Sequence, residues 1–404
     1  MSLLVAAALM MPPGPARTVP AWTASQQPVW GEDFLFPTNI PAQLGDRSLR
    51  QVVRLGIGGR AIRLVLSNAY GTRPLTIAAV HAAPSRGGSR IDPVRDRAIR
   101  FGTRASVTIA PGATITSDLS AIPVKAGENL AITIRFAHAP DIRGFHWDGR
   151  RTGYVLAADQ IAAADPPVGA TTTARLVLAA VLVDAARANR TVVVVGDSIT
   201  DGAGATLDAD TRWPDHLAKR AAPAGIAVVN AGISGARLLS DGMGANALAR
   251  LHRDALAQPG IGTIVVALGI NDIAWPGTPF DPQGRPVDFA ALVEGYRAIV
   301  ASAHASKVRV IGTTLPPFAD ALPGTPLHAT YYSVAKDALR GRINEWIRRS
   351  GTFDAVVDFD HVLRDPKRPD RLARAYDSGD HLHPGDAGNA AMADTLPLSL
   401  LLGH

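Results

Sequence analysis

The residues best suited to chemistry lie at the ends of short apolar runs in the second half of the chain. The run at 192–195 leads into the sequence GDSITDG at 196–202, so Ser198 directly follows a predicted buried strand. A serine at that position lies at the mouth of a sheet and can act as a nucleophile if a base is nearby. The alternative role is a helix N-cap, because a serine side-chain oxygen can accept a backbone N–H.

Two later strand ends carry groups that can donate hydrogen bonds to a developing negative charge. The run at 226–229 leads to Gly235, which lets a backbone N–H face a site without an intervening side chain. The run at 263–268 leads to Asn271, whose amide could donate to an oxyanion. Each of these patterns alone is also typical of an ordinary turn.

A fourth group of polar residues lies near the C-terminus, in the sequence DSGDHLHP at 377–384. Asp380 precedes His383 by three residues, at the entrance to a last predicted helix. A carboxylate beside an imidazole fixes its tautomer and leaves the other ring nitrogen to take a serine proton. Alone the pattern is weak, because a loop histidine is often only solvated.

These groups must be positioned by the elements between them. Helices are predicted near 213–222, 247–257, 289–303 and 334–349, between apolar runs at 192–195, 226–229, 263–268, 308–311 and 355–357. Continuous apolar strands that alternate with helices predict a parallel sheet covered on both faces. In such sheets ligands bind beyond the carboxyl ends of the strands, which is where the polar groups lie.

The first half of the chain has a different pattern. Apolar and polar residues alternate at 62–67 and 130–136, with glycine-containing turns between such runs. Short alternating strands without helical periodicity predict an all-β, jelly-roll-like sandwich. The predicted domains are therefore a signal-like or disordered N-terminus at 1–20, a β-sandwich at 21–184, a linker at 185–190 and an α/β domain at 191–404.

The N-terminus contains an apolar run at 3–11 followed by prolines at 12, 13 and 15. The run is too short to span a bilayer but fits the apolar core of a secretory signal, although no basic residue precedes it. It predicts a secreted or periplasmic protein, with a disordered cytoplasmic tail as the alternative. No other run approaches the length of a membrane-spanning segment.

Composition narrows the possible partners. The chain has 404 residues, 47% hydrophobic and 19% charged, which is typical of a globular protein with room for two domains. Its net charge is +6, but the basic residues are scattered, so no nucleic-acid partner is expected. The absence of cysteine excludes disulfides, thiolate metal sites and a cysteine nucleophile.

Taken together, the four strand-end sequences resemble the four sequence blocks of the SGNH, or GDSL-type, hydrolase family. The blocks occur in the family's order across 191–401, about half of the chain. The resemblance implies a flavodoxin-like, three-layer α/β/α domain that hydrolyses esters without a cofactor or metal. The first block reads Gly-Asp-Ser-Ile rather than Gly-Asp-Ser-Leu, a difference at an apolar position. Some members of the family are similar in carrying a β-sandwich ahead of the catalytic domain.

The resemblance also implies roles for individual residues. Ser198 would be the nucleophile, His383 the general base and Asp380 the residue that orients the base. The backbone N–H groups of Ser198 and Gly235 and the side chain of Asn271 would form the oxyanion hole.

The sequence indicates the residues that contact substrate less clearly than it indicates the catalytic residues. Short-chain acyl, aryl and acetylated-sugar esters are all compatible with the pattern, so the expected partner is a small-molecule or saccharide ester. No lid-like apolar insertion follows Ser198, which favours small acyl groups. Trp275 lies just past Asn271 and is expected to line the pocket. His146 and Trp147, in a glycine-flanked loop of the first domain, are expected to reach over the site.

Three other functions fit the sequence less well. Asp380, His381 and His383 cluster like metal ligands, but no partner block of histidines or paired carboxylates stands out elsewhere. An α/β-hydrolase would need a Gly-x-Ser-x-Gly elbow, and no serine has that context. A non-catalytic carbohydrate- or surface-binding protein would use the sandwich as its working module, and the four intact blocks argue against it.

Overall fold

The first half of the chain is built from short strands. The computed structural model describes residues 17–185 and 190–402. Short 3-10 turns lie at Pro93–Arg95 and Ala158–Gln160. Within the first described range the strands are β1 (Arg17–Thr23), β2 (Gln27–Pro28), β3 (Arg47–Arg54), β4 (Ile62–Ser67), β5 (Leu75–Ile77), β6 (Ala79–Pro84), β7 (Arg97–Ala98), β8 (Val107–Ile109), β9 (Thr114–Thr116), β10 (Asn129–Phe136), β11 (Gly144–His146), β12 (Gly153–Ala157), β13 (Ala170–Thr172), β14 (Arg175–Leu176) and β15 (Leu178–Ala185).

Two antiparallel sheets contain most of these strands. One has the order β1-β15-β4-β9 and the other β13-β12-β3-β10-β6-β7; smaller sheets join β14-β11-β2 and β5-β8. Ile62, Leu64 and Leu66 of β4 are fully buried and share one apolar core with Leu130 and Ile132 of β10. The two sheets therefore enclose a common core, as expected for a largely antiparallel first half. The jelly-roll arrangement stays a prediction.

Strand β10 departs from the half-buried pattern that its alternation predicts. Ala131 and Thr133, on the face away from the main core, are also buried. Arg50 of the adjacent β3 lies on this face and donates to the carbonyl oxygens of Ser89 and Ala163. The loops that contain these carbonyls cover the outer face of the sheet, and burial lowers the pKa of Arg50 to about 10.

The second half of the chain alternates strands and helices. A 3-10 turn at Ala222–Ala224 follows the second helix, and a π-helical turn at His252–Leu256 continues the third. The strands are β16 (Arg190–Gly196), β17 (Ile226–Gly232), β18 (Ile261–Ala267), β19 (Arg309–Thr313) and β20 (Ala355–Val357), and the helices are α1 (Ser198–Asp201), α2 (Trp213–Ala221), α3 (Ala247–Leu251), α4 (Ile270–Ala274), α5 (Phe289–Ala305), α6 (His328–Tyr331), α7 (Val334–Arg349), α8 (Phe359–Leu363), α9 (Asp386–Asp394) and α10 (Leu398–Leu402).

The five strands of the second half form one parallel sheet in the order β17-β16-β18-β19-β20. This is the 2-1-3-4-5 order of flavodoxin-like domains. Val193 and Val195 of β16 join the core beneath α5 and α7, whereas Val192 and Val194 join the core beneath α2 and α9. The predicted three-layer α/β/α domain is confirmed. Among the described residues, no helix is long and apolar enough to cross a membrane.

The boundaries differ slightly from those predicted. Residues 17–20 of the predicted N-terminal segment belong to β1, which pairs with β15 and buries Val19, whereas residues 1–16 lie outside the described residues. Strand β15 ends at Ala185 and β16 begins at Arg190; residues 186–189 of the predicted linker are also outside the described residues. The two halves touch where the Thr23 hydroxyl donates to the Asn230 carbonyl at 2.8 Å.

Candidate active site

Ser198 is the first residue of α1 and follows β16 with one residue between. That intervening residue, Asp197, caps the helix by accepting the Ile199 N–H at 3.0 Å. The alternative interpretation of Ser198 as the N-cap is therefore wrong, because Asp197 has that role. The Ser198 hydroxyl is left available for another partner.

That partner is His383. Its Nε2 lies 2.8 Å from Ser198 Oγ, and its Nδ1 lies 2.6 Å from Asp380 Oδ2. Since the carboxylate can only accept, Nδ1 carries the proton and Nε2 presents a lone pair to the serine hydroxyl. The structure thus brings together the three residues that the sequence indicated, in an order suited to removing the serine proton.

The Asp380 carboxylate is held in its ionised form. Burial opposes the charge, but the His383 ring and the backbone N–H groups of Leu382 and His383 donate to it and hold its pKa well below the usual range. The short spacing from Asp380 to His383 allows one carboxylate to bind both the backbone and the ring. The base is therefore fixed in tautomer and orientation before any substrate binds.

Gly235 lies in the turn after β17, beside the start of α1. Its φ is +71°, and a Cβ there would come within 2.6 Å of Met243 Sδ and 2.8 Å of the Trp275 ring. The turn therefore requires glycine for its backbone conformation and for the close approach of both side chains. In the sheet, Gly196 pairs with Gly232 and Ala267, so the turns after β16, β17 and β18 meet at one edge.

Asn271 is in α4, just after β18, and is buried. Its Nδ2 donates to the Ala236 carbonyl at 3.0 Å, and its Oδ1 accepts the Tyr331 O–H at 2.7 Å. The two bonds determine which end of the amide carries the nitrogen, and Nδ2 has a second hydrogen to donate. The side chain is thus oriented in advance, as an oxyanion donor must be.

Two buried charged side chains fix the turns that surround these groups. Asp272, next to Asn271, accepts the N–H groups of Leu238 and Leu239 at 2.7 and 2.9 Å, and burial raises its pKa to about 6. Arg250 of α3 donates to the carbonyls of Ala231 and Gly196 at 2.6 and 3.0 Å. It thereby holds the ends of β17 and β16 together.

The cluster that suggested a metal site is arranged differently. His381 Nδ1 lies 2.5 Å from Asp377 Oδ2, and His383 faces Asp380, so each histidine has its own carboxylate partner. Among residues 17–185 and 190–402, no group of three or more His, Asp or Glu side chains is arranged to hold a metal ion. His381 lies outside the Ser198–His383–Asp380 chain.

Trp275 is buried, and its contact with substrate stays a prediction. It is 3% exposed, stacks on Phe280 at 4.4 Å and fills the space beside Gly235. It supports the Gly235 turn from behind. Trp147 is half-buried and stacks on Phe36, which in turn lies 5.5 Å from Phe280. Its contact with substrate stays a prediction.

His146 requires a correction. It is 4% exposed, with Nδ1 3.1 Å from the Ser25 carbonyl and Nε2 3.0 Å from Asp201 Oδ1. Both ring nitrogens are occupied by the protein, so His146 has none left for substrate. It contacts Asp201, the last residue of α1, and belongs to β11, which pairs with β2 and β14.

Sequence reasoning did not identify Tyr331, Arg250, Asp201 or Asp272 as functional residues. Asp201 lies inside the quoted sequence GDSITDG and Asp272 directly follows Asn271, so an acid inside or beside a motif was the available signal. Tyr331 lies 60 residues beyond Asn271, and no local pattern connects the two.

Known proteins are similar to part of this chain. A sequence model of the GDSL-like lipase/acylhydrolase family matches residues 194–391. A GDSL-like lipase from Bacteroides thetaiotaomicron VPI-5482 is 19% identical, with a TM-score of 0.40, over 54% of this chain and 90% of that chain. The acetylxylan esterase Axe2 from Geobacillus stearothermophilus is 22% identical, with a TM-score of 0.38, over 54% of this chain and 95% of that chain. None of the curated proteins compared matches.

The family match begins inside β16 and ends within α9, so it spans the parallel sheet and all four polar strand ends. The first half of the chain precedes it. The second half of this chain belongs to the GDSL-like lipase/acylhydrolase family, and the protein is a carboxylic ester hydrolase.

Proposed function

We propose that this esterase is a serine hydrolase that works through an acyl-enzyme intermediate, with Ser198 as the nucleophile. The observation that carries the proposal is the chain of contacts from Ser198 Oγ to His383 Nε2 at 2.8 Å and from His383 Nδ1 to Asp380 Oδ2 at 2.6 Å. A serine hydroxyl is a weak nucleophile at neutral pH until an oriented base removes its proton.

In the first half-reaction, Ser198 Oγ bonds to the ester carbonyl carbon while its proton passes to His383 Nε2. The carbonyl electron pair moves to oxygen, where the N–H groups of Ser198 and Gly235 and the Asn271 amide donate to it. Each such donor is typically worth ~3 kcal/mol of barrier. When the tetrahedral intermediate collapses, the C–O bond to the alcohol breaks and His383 returns the proton to the leaving oxygen.

In the second half-reaction, water replaces the alcohol. His383 takes a proton from water as its oxygen attacks the acyl carbon, and the bond to Ser198 Oγ then breaks with the proton returned to the serine. The carboxylic acid leaves and the enzyme is restored. Asp380 remains ionised throughout and stabilises the imidazolium form of His383.

The segment between α1 and α2 favours substrates with a short acyl group. Thr152 donates to Asp208 Oδ2 at 2.7 Å, and Arg151 donates to Asp210 Oδ1 at 2.8 Å, so the segment is bound to the first half by polar contacts. It supplies no apolar lid that would cover a long chain. We therefore expect short-chain acyl groups on aryl or saccharide alcohols to be the substrates.

A fluorophosphonate probe tests the nucleophile. It should label the protein at Ser198, located by mass spectrometry of the digested product, and Ser198→Ala should abolish both labelling and turnover of p-nitrophenyl acetate. Ser302→Ala, at an exposed position on α5, is the matched control and should behave like wild type. Turnover above about a hundredth of wild type in Ser198→Ala would refute the assignment.

Chain-length preference needs a separate assay. Specificity constants for p-nitrophenyl esters from acetate to palmitate should be greatest at the short end, and acetylated saccharides should be tested beside them. A maximum at palmitate would contradict the proposed acyl size while leaving the nucleophile assignment intact.

A further inference from the structure

A histidine of the first half contacts the nucleophile helix. His146 ends β11, and its ring is buried against Asp201, the last residue of α1. Nε2 is 3.0 Å from Asp201 Oδ1, and Nδ1 is 3.1 Å from the Ser25 carbonyl oxygen. The helix that carries Ser198 is therefore in direct contact with the first half of the chain through His146 and Asp201.

Asp201 connects three parts of the site. It belongs to the same short helix as Ser198 and is 1% exposed. Its second oxygen, Oδ2, accepts the Ser234 N–H at 2.9 Å and the Ser234 O–H at 2.8 Å. Since Ser234 precedes Gly235, a single carboxylate links the nucleophile helix, the Gly235 turn and the first half of the chain.

The partners of His146 determine its charge. A backbone carbonyl faces Nδ1 and a carboxylate faces Nε2, and both are acceptors only. Both ring nitrogens therefore face acceptors, an arrangement that favours the imidazolium form, which can donate from both. Burial disfavours that charge and Arg212 opposes it, yet the contact with Asp201 raises the pKa of His146 above its usual value.

We propose that His146 is a positioning residue for ester hydrolysis: as an imidazolium it fixes Asp201, and through Asp201 it fixes the Gly235 turn and α1. The proposal rests on the proposed function, because it assigns His146 an effect on Ser198 and Gly235. It goes beyond that function by placing part of the catalytic machinery in the sandwich.

Neighbouring contacts support the same role for the first half. Asp208 accepts the Thr152 N–H at 2.7 Å, and Arg150 donates to the Ala205 carbonyl. The segment after β11 thus contacts the segment that follows α1. Within the part of the first half that the structure describes, only His146 reaches a carboxylate that also binds the Gly235 turn.

The main test is His146→Gln, which keeps one donor for Asp201 but cannot donate in both directions. We expect kcat for p-nitrophenyl acetate to fall about 5- to 50-fold, because one oxyanion donor is typically worth ~10²–10³ and the substitution displaces rather than deletes it. KM should change little, and the rate of fluorophosphonate labelling should fall with kcat.

His81→Gln is the matched control. His81 Nδ1 lies 2.6 Å from Asp96 Oδ2 in the first half, a His–Asp pair that makes no contact with the strand ends described above. Loss of the His81–Asp96 pair should leave kcat for p-nitrophenyl acetate unchanged. If the two variants lose kcat equally, the effect of His146 is general destabilisation and the proposal is wrong.

A double variant tests whether His146 acts through Asp201. If His146 acts through Asp201, then adding His146→Gln to Asp201→Asn should cause no further loss of kcat. A full additional loss in the double variant would show that His146 acts by another route, and would overturn the proposal.

The charge of the His146 ring can be measured without an activity assay. In the ¹⁵N-histidine NMR spectrum of Ser198→Ala at pH 7.5, the His146 ring, identified through its contacts with Ser25, should be doubly protonated. This measurement does not depend on the His146→Gln variant folding. A neutral ring would overturn the proposal even if Ser198 is the nucleophile, whereas residual turnover in Ser198→Ala would defeat the proposed function alone.

Discussion

The buried hydrogen bond between Tyr331 and Asn271 gives a sharp prediction. Tyr331 of α6 donates its O–H to Asn271 Oδ1 at 2.7 Å, and both side chains are 2% exposed. Tyr331→Phe removes this one oxygen and keeps the ring that packs against Phe318. It should therefore change the orientation of the Asn271 amide with little change in the surrounding core.

The expected loss of kcat in Tyr331→Phe depends on which hydrogen bonds the Asn271 amide loses and which it keeps. An oxyanion donor is worth ~3 kcal/mol of barrier when properly aimed. In the variant, Asn271 Nδ2 still donates to the Ala236 carbonyl, so the donor is loosened rather than removed. We expect a loss of about 1–2 kcal/mol, which lowers kcat about 5- to 30-fold. Leaving Asn271 Oδ1 buried without its donor should also cost ~1–3 kcal/mol of unfolding free energy.

The assay is a kinetic cycle with p-nitrophenyl acetate on wild type, Tyr331→Phe, Asn271→Ala and the double variant. Asn271→Ala alone should lower kcat about 10²- to 10³-fold with little effect on KM. Tyr331→Phe should add nothing in that background. Tyr296→Phe is the control, because the Tyr296 hydroxyl is equally buried but donates to the Leu268 carbonyl at 2.6 Å. A loss that persists without Asn271, or that appears only in KM, would refute the reasoning.

Other predictions follow from the charged groups. Asp380→Asn should lower kcat about 10³- to 10⁴-fold at unchanged KM, since an amide no longer selects the required tautomer of His383; a loss below tenfold would contradict this. Burial raises the pKa of Asp197 to about 7, so its contribution to stability is complete below pH ~4 and is lost as the pH rises through about 7. Asp197→Asn, which can keep the helix cap, should therefore raise Tm more at pH 8 than at pH 4, and equal shifts would argue against a buried, protonated Asp197. EDTA should not change turnover, whereas inactivation reversed by zinc would favour the metal-dependent alternative.

The parts of the site that could be predicted from sequence are those that depend on local structure. Ser198, Gly235 and Asn271 each follow an apolar strand, and the parallel order of β16, β17 and β18 then brings them to one edge. Asp380 and His383 are three residues apart, so their pairing is also local. Strand pattern and motif spacing are therefore sufficient to predict these placements.

The residues that orient these groups could not be predicted, because tertiary packing alone brings them into position. His146 is 55 positions before Asp201, and a glycine-flanked loop suggested an exposed residue, whereas β11 in fact directs it into the interior. Trp275 was expected to line a pocket because aromatic residues near a motif often do. Its burial under Gly235 depends on a stacking partner, Phe280, that no sequence pattern identified.

The turn that carries Gly235 is held from both sides by α1 and α4, the elements that carry the other two proposed oxyanion donors, Ser198 and Asn271. Asp201 of α1 binds its start through Ser234, and Asp272 of α4 binds its end through Leu238 and Leu239. In the proposed function, these two buried carboxylates hold the three proposed oxyanion donors in position before the oxyanion forms. Burying carboxylates lowers stability, as the raised pKa of Asp272 indicates. The fold tolerates this cost where rigidity benefits catalysis, and the contact of His146 with Asp201 extends the same rigid unit into the sandwich.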